Sequence, residues 1–265
     1  MLNDPDFETA LANETARGAP RVDALARRVL SVLKSRPTPE LHARLAEFGE
    51  ALLRDAQDPA CDLCGMTIAR IRAARLSASD VIDFCIPEAA RRLGEQWTDN
   101  TAHFTQVTLA TARLQRLIGD LTMAFPDPPA QDNRPGVLVV VCETEQHLIG
   151  PLVLASQLRR IGCSVGFLVS DDPRTVCDRI DRGLFDLVLF SCVGTHALEP
   201  IRSIVKYTRA HARVCPPVVL GGNVATEADV IKEKTGVDLV TSDPNQALAL
   251  CSRGDYSPGR PSADR

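Results

Sequence analysis

A histidine preceded by a carboxylate follows an apolar run in the middle of the chain. The segment VLVVVCETEQHLIG, residues 137–150, contains Glu145, His147 and Gly150. Imidazole is a good ligand for transition metals, and a carboxylate can accept the hydrogen of its other ring nitrogen. Because Gly150 has no side chain, a bulky ligand can approach the backbone there closely. This spacing predicts a site in which His147 binds a metal and Glu145 orients the imidazole.

Strand-like and helix-like segments alternate around this site. The valine-rich run before Glu145 is typical of a buried parallel strand, and helical periodicity then extends from Leu148 to Ile161 and stops at Gly162. Four more apolar segments, each followed by helical periodicity, cover residues 163–170, 185–194, 216–223 and 236–243. The alternation predicts an α/β domain with a Rossmann-like, flavodoxin-like, doubly wound sheet of five parallel strands.

Ligands of doubly wound domains bind beyond the carboxyl ends of the strands. His147 follows the first predicted strand, Ser191 and Val193 stand at the end of the third, and the pair Gly221 and Gly222 ends the fourth. The sheet therefore brings chemically distinct loops to one edge.

The first half of the chain has helical periodicity. Apolar residues fall on single helical faces in two early segments, and these are Val22, Leu25, Val29, Val32 and Leu33, then Leu41, Leu45, Phe48 and Leu52. We expect the next helix to begin near Ser79, a good N-cap residue, and to run to Trp97 with a kink at Pro87. A last helix should carry the apolar-face residues Phe104, Val107, Thr111, Leu114, Ile118 and Leu121. Four or five antiparallel helices with short connections predict a helical bundle.

A proline-rich segment, FPDPPAQDNRPG, separates these two halves. The 265 residues, of which 45% are apolar, are enough for two cores. We predict five regions, which are a flexible N-terminal tail (1–19), a helical bundle (20–126), a linker (127–135), the α/β domain (136–252) and a flexible C-terminal tail (253–265).

The composition disfavours nucleic-acid-binding, membrane and disulfide-rich proteins. The formal net charge is −4, so the chain lacks the basic surface that binding to phosphates requires, and we expect no direct contact with nucleic acid. No apolar run approaches the ~18 residues of a membrane span, and we expect a cytoplasmic protein that does not bind membranes. Nine cysteines, an odd number, argue against a disulfide framework. We interpret Cys61-x-x-Cys64 as two small residues of a helix.

The motifs at the strand ends resemble those of the cobalamin-binding family, D-x-H-x-x-G, S-x-L and G-G on successive loops. The resemblance implies that His147 replaces dimethylbenzimidazole as the lower axial ligand of cobalt, with Glu145 bonded to it. It implies further cofactor contacts, which are Leu148, Ile149 and Gly150 beside the histidine, and Ser191, Val193, Gly221 and Gly222 along the slot for the nucleotide tail. The sequence has Glu145 where the family has aspartate, and Val193 where it has leucine.

The helical half also resembles that family, in which a bundle caps the upper face of the corrin. The matching segments are LGEQW, which ends at Trp97, and VTLA, residues 107–110. The resemblance implies that Trp97 lies over the upper face, whereas its position alone also fits a large core residue at a helix end. His103 is either an upper-face group or an exposed histidine at a helix start.

Within the family, the chain resembles the AerR/PpaA group of anti-repressors. That resemblance implies a light-responsive regulator without enzymatic activity, which binds adenosyl-, methyl- or hydroxocobalamin and acts on a separate DNA-binding repressor of photosynthesis genes. Two alternatives stay open. A corrinoid protein that carries a methyl group for a methyltransferase system would use the same His147 and Trp97, and a haem-binding redox sensor would use His147 as its axial ligand.

Overall fold

The computed structural model describes residues 39–126, 135–222 and 228–252. The expected helix around Val22, both tails and nearly all of the predicted linker lie outside these ranges. The described residues divide into two compact units. We call residues 39–126 with 145–165 the helical unit, and residues 135–144, 166–222 and 228–252 the sheet unit.

Five helices build the helical unit. They are α1 (Pro39–Gln57), α2 (Leu63–Ala74), a composite helix α3 (Ala78–Asp80, Val81–Cys85 and Ile86–Thr98), α4 (Phe104–Ala124) and α5 (Ile149–Arg160). The helix α5 follows the first strand of the sheet in sequence. The sequence-based boundary at residue 136 placed it in the α/β domain, whereas its contacts group it with the bundle.

The composite helix α3 corrects the expected helix start and shows how Pro87 is accommodated. Ser77, not Ser79, is the N-cap, since its hydroxyl accepts from the backbone N–H of Asp80 in a capping box. The middle part of α3 is π-helical, directly before Pro87 in the first turn of the last part. A proline ring crowds the carbonyl four residues earlier, here that of Asp83, so a wider turn at this place relieves the clash.

A continuous apolar core joins all five helices of this unit. The predicted face of α1 is confirmed for Leu45, Phe48 and Leu52, which are buried. Phe104 lies on α4 as predicted, but it is 66% exposed at the start of this helix and does not join the core. The core residues contributed by α4 and α5 are Ala110, Leu114, Leu117, Ile118, Leu121, Ile149 and Val153.

The sheet unit confirms the predicted α/β fold. Its strands are β1 (Gly136–Val141), β2 (Ser164–Val169), β3 (Leu187–Cys192), β4 (Val218–Gly222) and β5 (Leu239–Val240). The strand order is β2-β1-β3-β4-β5, and the pairs β1–β3, β3–β4 and β4–β5 are parallel. This is the flavodoxin-like order, in which the connections switch sides at β1 and β3.

Alternate residues of the central strands face a layer of three helices. These are α6 (Pro173–Arg182), α7 (Leu198–His211) and α8 (Ala228–Thr235), and a short helix α9 (Pro244–Leu248) ends the unit. Leu138, Val188 and Leu220 pack into this layer together with Phe190. The residues between them, such as Val139, are buried as well. Burial on both faces explains why β1 has an unbroken valine run.

None of the helices in the described ranges is both long and apolar enough to cross a membrane.

The helical core can be tested at Leu114, whose side chain is fully buried. The substitution Leu114→Ala should lower the free energy of unfolding by about 2–5 kcal/mol, because it removes buried methyl groups and leaves a cavity. Urea unfolding followed by circular dichroism measures the loss. Leu109→Ala on the same helix is the matched control, since Leu109 is 44% exposed and should change stability by only about 0.5 kcal/mol or less. Equal losses for both variants would contradict the core described here.

Candidate functional site

The loop between β1 and α5 holds a buried carboxylate. β1 ends at Val141, and Glu145 lies four residues later with no exposed side-chain surface. Its Oε1 accepts a hydrogen bond from the backbone N–H of His147 at 3.0 Å and lies 2.6 Å from the imidazole Nδ1. The longer side chain of glutamate therefore reaches the histidine, as the sequence predicted despite the departure from aspartate.

The imidazole of His147 is held at one nitrogen and open at the rest of the ring. A carboxylate only accepts hydrogens, so Nδ1 carries the hydrogen, and in the neutral imidazole Nε2 is the nitrogen with the free lone pair. The side chain is 71% exposed, in contrast to that of Glu145. This geometry suits a metal ligand, because the hydrogen bond sets the tautomer and raises the basicity of Nε2.

The residues that follow His147 begin α5 and serve different purposes. Leu148 occupies the N-cap position and is partly buried, while Ile149 is buried in the helical core. Gly150 is exposed, and a Cβ built there would meet nothing within 4 Å among the described residues. The packing of the protein therefore does not require glycine at 150, which leaves room for a bulky ligand.

In the sheet unit, Ser191 and Gly221 lie side by side. They are register partners on β3 and β4, and Val141 at the end of β1 pairs with Ser191 from the other side. These three residues lie on the sheet face opposite the layer of α6, α7 and α8, since the alternate residues face that layer. A Cβ on Gly221 would come within 3.3 Å of the Thr241 carbonyl oxygen, a tight but tolerable contact.

Gly222 differs from Gly221 because the backbone itself requires it. Its φ is +111°, and a Cβ there would lie 1.9 Å from the carbonyl oxygen of Cys192. Any side chain would be strained and would collide with β3. Val193, the first residue after β3, is 40% exposed.

The tryptophan of the helical unit is a surface residue. Trp97 is 48% exposed, which excludes the interpretation as a core residue at a helix end. Its ring meets that of Phe104 edge to face, with centroids 5.8 Å apart and an interplanar angle of 63°. His103, between them in sequence, is an exposed residue at the N-cap of α4. The two aromatic rings form an exposed apolar surface on the helical unit.

The predicted site residues are thus distributed over both units. Glu145 and His147 belong to the helical unit together with Trp97, whereas Ser191 and Gly221 belong to the sheet unit. Sequence reasoning missed the role of Phe104 as the neighbour of the indole, because its position at the helical period suggested burial. The aromatic character of a residue so near the tryptophan was the available signal.

Other side chains among the described residues are of types that bind metals or take part in redox chemistry. Within the described ranges no three residues among His, Cys, Asp and Glu are placed to hold a metal ion together. Cys61 and Cys64 are free thiols, with Cys61 before the N-cap Asp62 of α2 and Cys64 inside the helix. Burial, followed by the carboxylates of Asp120 and Asp62, raises the pKa of the Cys64 thiol, so Cys64 lacks the lowered pKa of a reactive cysteine.

Two comparisons with known proteins bear on the family. The B12 binding domain family matches residues 135–249 of the chain. A relative from Rhodobacter capsulatus, named "Uncharacterized 20.5 kDa protein in bchF-crtJ intergenic region", is 32% identical over 173 residues. The match covers 65% of this chain and 90% of that relative.

Two solved structures also resemble the chain. A cobalamin-binding protein from Desulfitobacterium hafniense DCB-2 matches with a TM-score of 0.41 and 19% identity, over 77% of this chain and 97% of that one. The methanol:cobalamin methyltransferase complex from Methanosarcina barkeri matches with a TM-score of 0.38 and 17% identity, over 84% and 88%. Because both TM-scores are below 0.5, the fold assignment depends on the strand order and register described above.

The two glycines at the end of β4 should respond differently to substitution. Gly222→Ala should lower the free energy of unfolding by about 1–3 kcal/mol or more, because the positive φ strains any other residue and the added Cβ collides with the backbone. Gly221→Ala should cost less than Gly222→Ala, since its Cβ makes only one tight contact. Thermal unfolding of both variants measures the difference.

Ligand binding by the Gly221→Ala variant shows whether this glycine leaves room for a ligand. If Gly221 lines the slot that the family resemblance implies, Gly221→Ala should weaken the binding of cobalamin more than that of cobinamide, which lacks the nucleotide tail. Equal weakening for the two ligands would place the slot elsewhere.

Proposed function

Because the chain belongs to the B12-binding domain family, we propose that His147 is the lower axial ligand of a bound cobalamin and that the protein is a light-responsive regulator of transcription. The observation that carries the first part is the buried carboxylate of Glu145, 2.6 Å from Nδ1 of an otherwise exposed imidazole. Since a corrin supplies the equatorial nitrogens of cobalt itself, one axial ligand is all that the protein must add.

The other candidate residues have roles that their positions suit. A Cβ at Gly150 would meet no described atom within 4 Å, which suits close approach of a corrin edge, and Gly221 lacks a side chain where the nucleotide tail would lie. Ser191 stands beside Gly221 on the same face of the sheet. Leu148, which follows His147 in the chain, is partly exposed, and Val193, two residues after Ser191, is exposed. Ile149 would contribute to the site indirectly, through the helical core in which it is buried. Gly222 would contribute by allowing the end of β4 to lie against β3.

The response to light is proposed to run through the helical unit. An alkylcobalamin supplies a cobalt–carbon bond that light breaks, which removes the upper ligand. Trp97 and Phe104 offer an exposed apolar surface that can pack against such a ligand, with His103 at the adjoining helix start. A ligand shifts a conformational equilibrium only through a difference in affinity between two states, and this surface can supply that difference.

The target is proposed to be a DNA-binding repressor of photosynthesis genes. The name of the Rhodobacter capsulatus relative places it in the bchF-crtJ intergenic region, which supports this role, as does the resemblance to the AerR/PpaA group. The formal net charge of −4 disfavours direct binding to DNA. We therefore propose a cytoplasmic, non-enzymatic protein that regulates by contact with its partner.

The cobalt ligand is tested by His147→Ala. We expect the dissociation constant for hydroxocobalamin to increase by more than about 10-fold and the absorption spectrum to lose the features of histidine ligation. Added imidazole should restore that spectrum, because it can occupy the space of the missing ring. Glu145→Gln keeps an acceptor for Nδ1–H but removes the charge, and should have a smaller effect.

His211→Ala is the control for this experiment, since His211 is also exposed but lies on α7, outside the candidate site. An unchanged affinity together with an unchanged spectrum in His147→Ala would remove His147 from the cobalt. A Soret band with added haem, and no corrin bands with added cobalamin, would replace the proposal by a haem-binding sensor.

The regulatory part is tested with the repressor itself. The purified protein should leave a promoter fragment unshifted at moderate salt, whereas with adenosylcobalamin it should change the binding of the repressor to that fragment differently in the dark and after illumination. Trp97→Ala should keep the spectrum of His147 ligation but reduce the difference between dark and light. Met123→Ala, which removes another exposed apolar side chain of the helical unit, should behave as wild type.

Two results would overturn this part of the proposal. A specific shift of the promoter by the isolated protein would mean that it reads DNA directly. Rapid methyl transfer from the bound methylcobalamin to a thiol acceptor, without any response to light, would favour a corrinoid carrier of a methyltransferase system.

A further inference from the structure

The helix that follows His147 is fixed to the bundle at its first turns. α5 begins two residues after His147, and its residues Ile149 and Val153 are 8% and 7% exposed within the core of the helical unit. Leu152 packs against the same core. The start of α5 is therefore held by apolar contacts with the other helices of its unit.

An ion pair fixes the other end of α5. Arg160 is its last residue, and its Nη2 lies 2.5 Å from Oδ2 of Asp83 in the π-helical part of α3. Both side chains are largely buried, with 15% and 14% of their surface exposed. Nη1 of Arg160 also donates to Oγ of Ser156, one turn earlier on α5, at 3.0 Å. The guanidinium thus has a defined orientation.

Burial makes the ionised form of Asp83 unfavourable. Burial raises the pKa of Asp83 above its ordinary value, and Arg160 only partly opposes the shift. A group with a raised pKa stabilises the fold below its unfolded pKa, and that contribution is lost as the pH rises through the folded value. Ionising Asp83 at neutral pH therefore costs stability, and a defined orientation is the benefit that a buried pair can offer.

The pair also connects two helices that carry candidate cofactor groups. Asp83 and Trp97 lie on α3, separated by about 20 Å of helix. Arg160 lies about 17 Å along α5 from the turn that follows His147. Because Arg160 lies this far along α5 and Asp83 is bonded to its guanidinium, neither charged group reaches a metal bound at His147.

We propose that Asp83 and Arg160 are positioning residues, whose ion pair sets the orientation of α5 and with it the position of His147 within the helical unit. The inference rests on the proposed function, since it assigns to His147 the role of cobalt ligand. It adds that axial ligation depends on a contact between α3 and α5 at the far end of each helix.

The test uses the full chain with three variants, Asp83→Asn, Arg160→Lys and the double variant Asp83→Leu/Arg160→Met. Each single variant should raise the dissociation constant for hydroxocobalamin by about 10-fold and reduce the fraction with the spectrum of histidine ligation. The double variant removes both buried charges, so it should recover thermal stability but not the lost ligation.

The ion pair Asp55–Arg70 is the matched control. It joins α1 to α2 in the same unit, with side chains 17% and 33% exposed, and involves no residue of α5. Asp55→Asn and Arg70→Lys should leave the affinity for hydroxocobalamin and the spectrum unchanged. Equal losses from both pairs would reduce Asp83–Arg160 to a general stabilising contact and overturn the inference.

A measurement without cofactor separates this inference from the proposed function. In the cofactor-free protein, amide hydrogen exchange over residues 149–160 should accelerate by more than about 10-fold in Asp83→Asn and stay unchanged in Asp55→Asn. Unchanged exchange in Asp83→Asn, or full recovery of ligation in the double variant, would overturn the positioning role. If wild-type protein binds no cobalamin, the proposed function fails, and the exchange data still decide whether the pair holds α5.

Discussion

A carboxylate removed from water must keep hydrogen-bond donors beside it, and Glu145 has its donors in the backbone N–H and the ring of His147. The imidazole is largely exposed, yet turning away would remove one hydrogen-bond donor from the buried Glu145 carboxylate. The orientation of the ring is therefore set in advance, and Nε2 is the nitrogen left for the metal that we propose. The roles proposed for Gly150 and for the start of α5 depend on this fixed ring.

The unit to which this loop belongs shapes how the protein can respond to a ligand. His147 is connected through Ile149 and Val153 to the core that also supports the helix of Trp97. A change at one of these two groups can therefore reach the other through packed side chains and the Asp83–Arg160 pair of the same unit. Such a core is suited to a regulator, because packed helices adopt discrete arrangements and do not deform continuously.

The sequence by itself determined the fold of the sheet unit and the local geometry at His147. The valine run of β1 and the regular alternation with helices predict a doubly wound sheet. A strand that is buried on both faces is apolar at consecutive positions, so a few residues of sequence are enough to recognise it. The spacing of Glu145 and His147 was equally readable, since a contact between residues two apart depends on little beyond the local chain. The bundle was recognisable for the same reason, from apolar faces such as that of Leu45 and Leu52.

Only the tertiary structure decided which residues meet across long stretches of chain. Asp83 and Arg160 are 77 positions apart, and no local pattern distinguishes them from other charged residues on helices. The placement of α5 in the helical core and the exposure of Trp97 and Phe104 could not be predicted for the same reason. Amphipathic periodicity indicates a buried face but not the surface that this face contacts. Gly222 is an example at a single residue, since the side-chain clash that requires glycine is with Cys192 on the neighbouring strand β3.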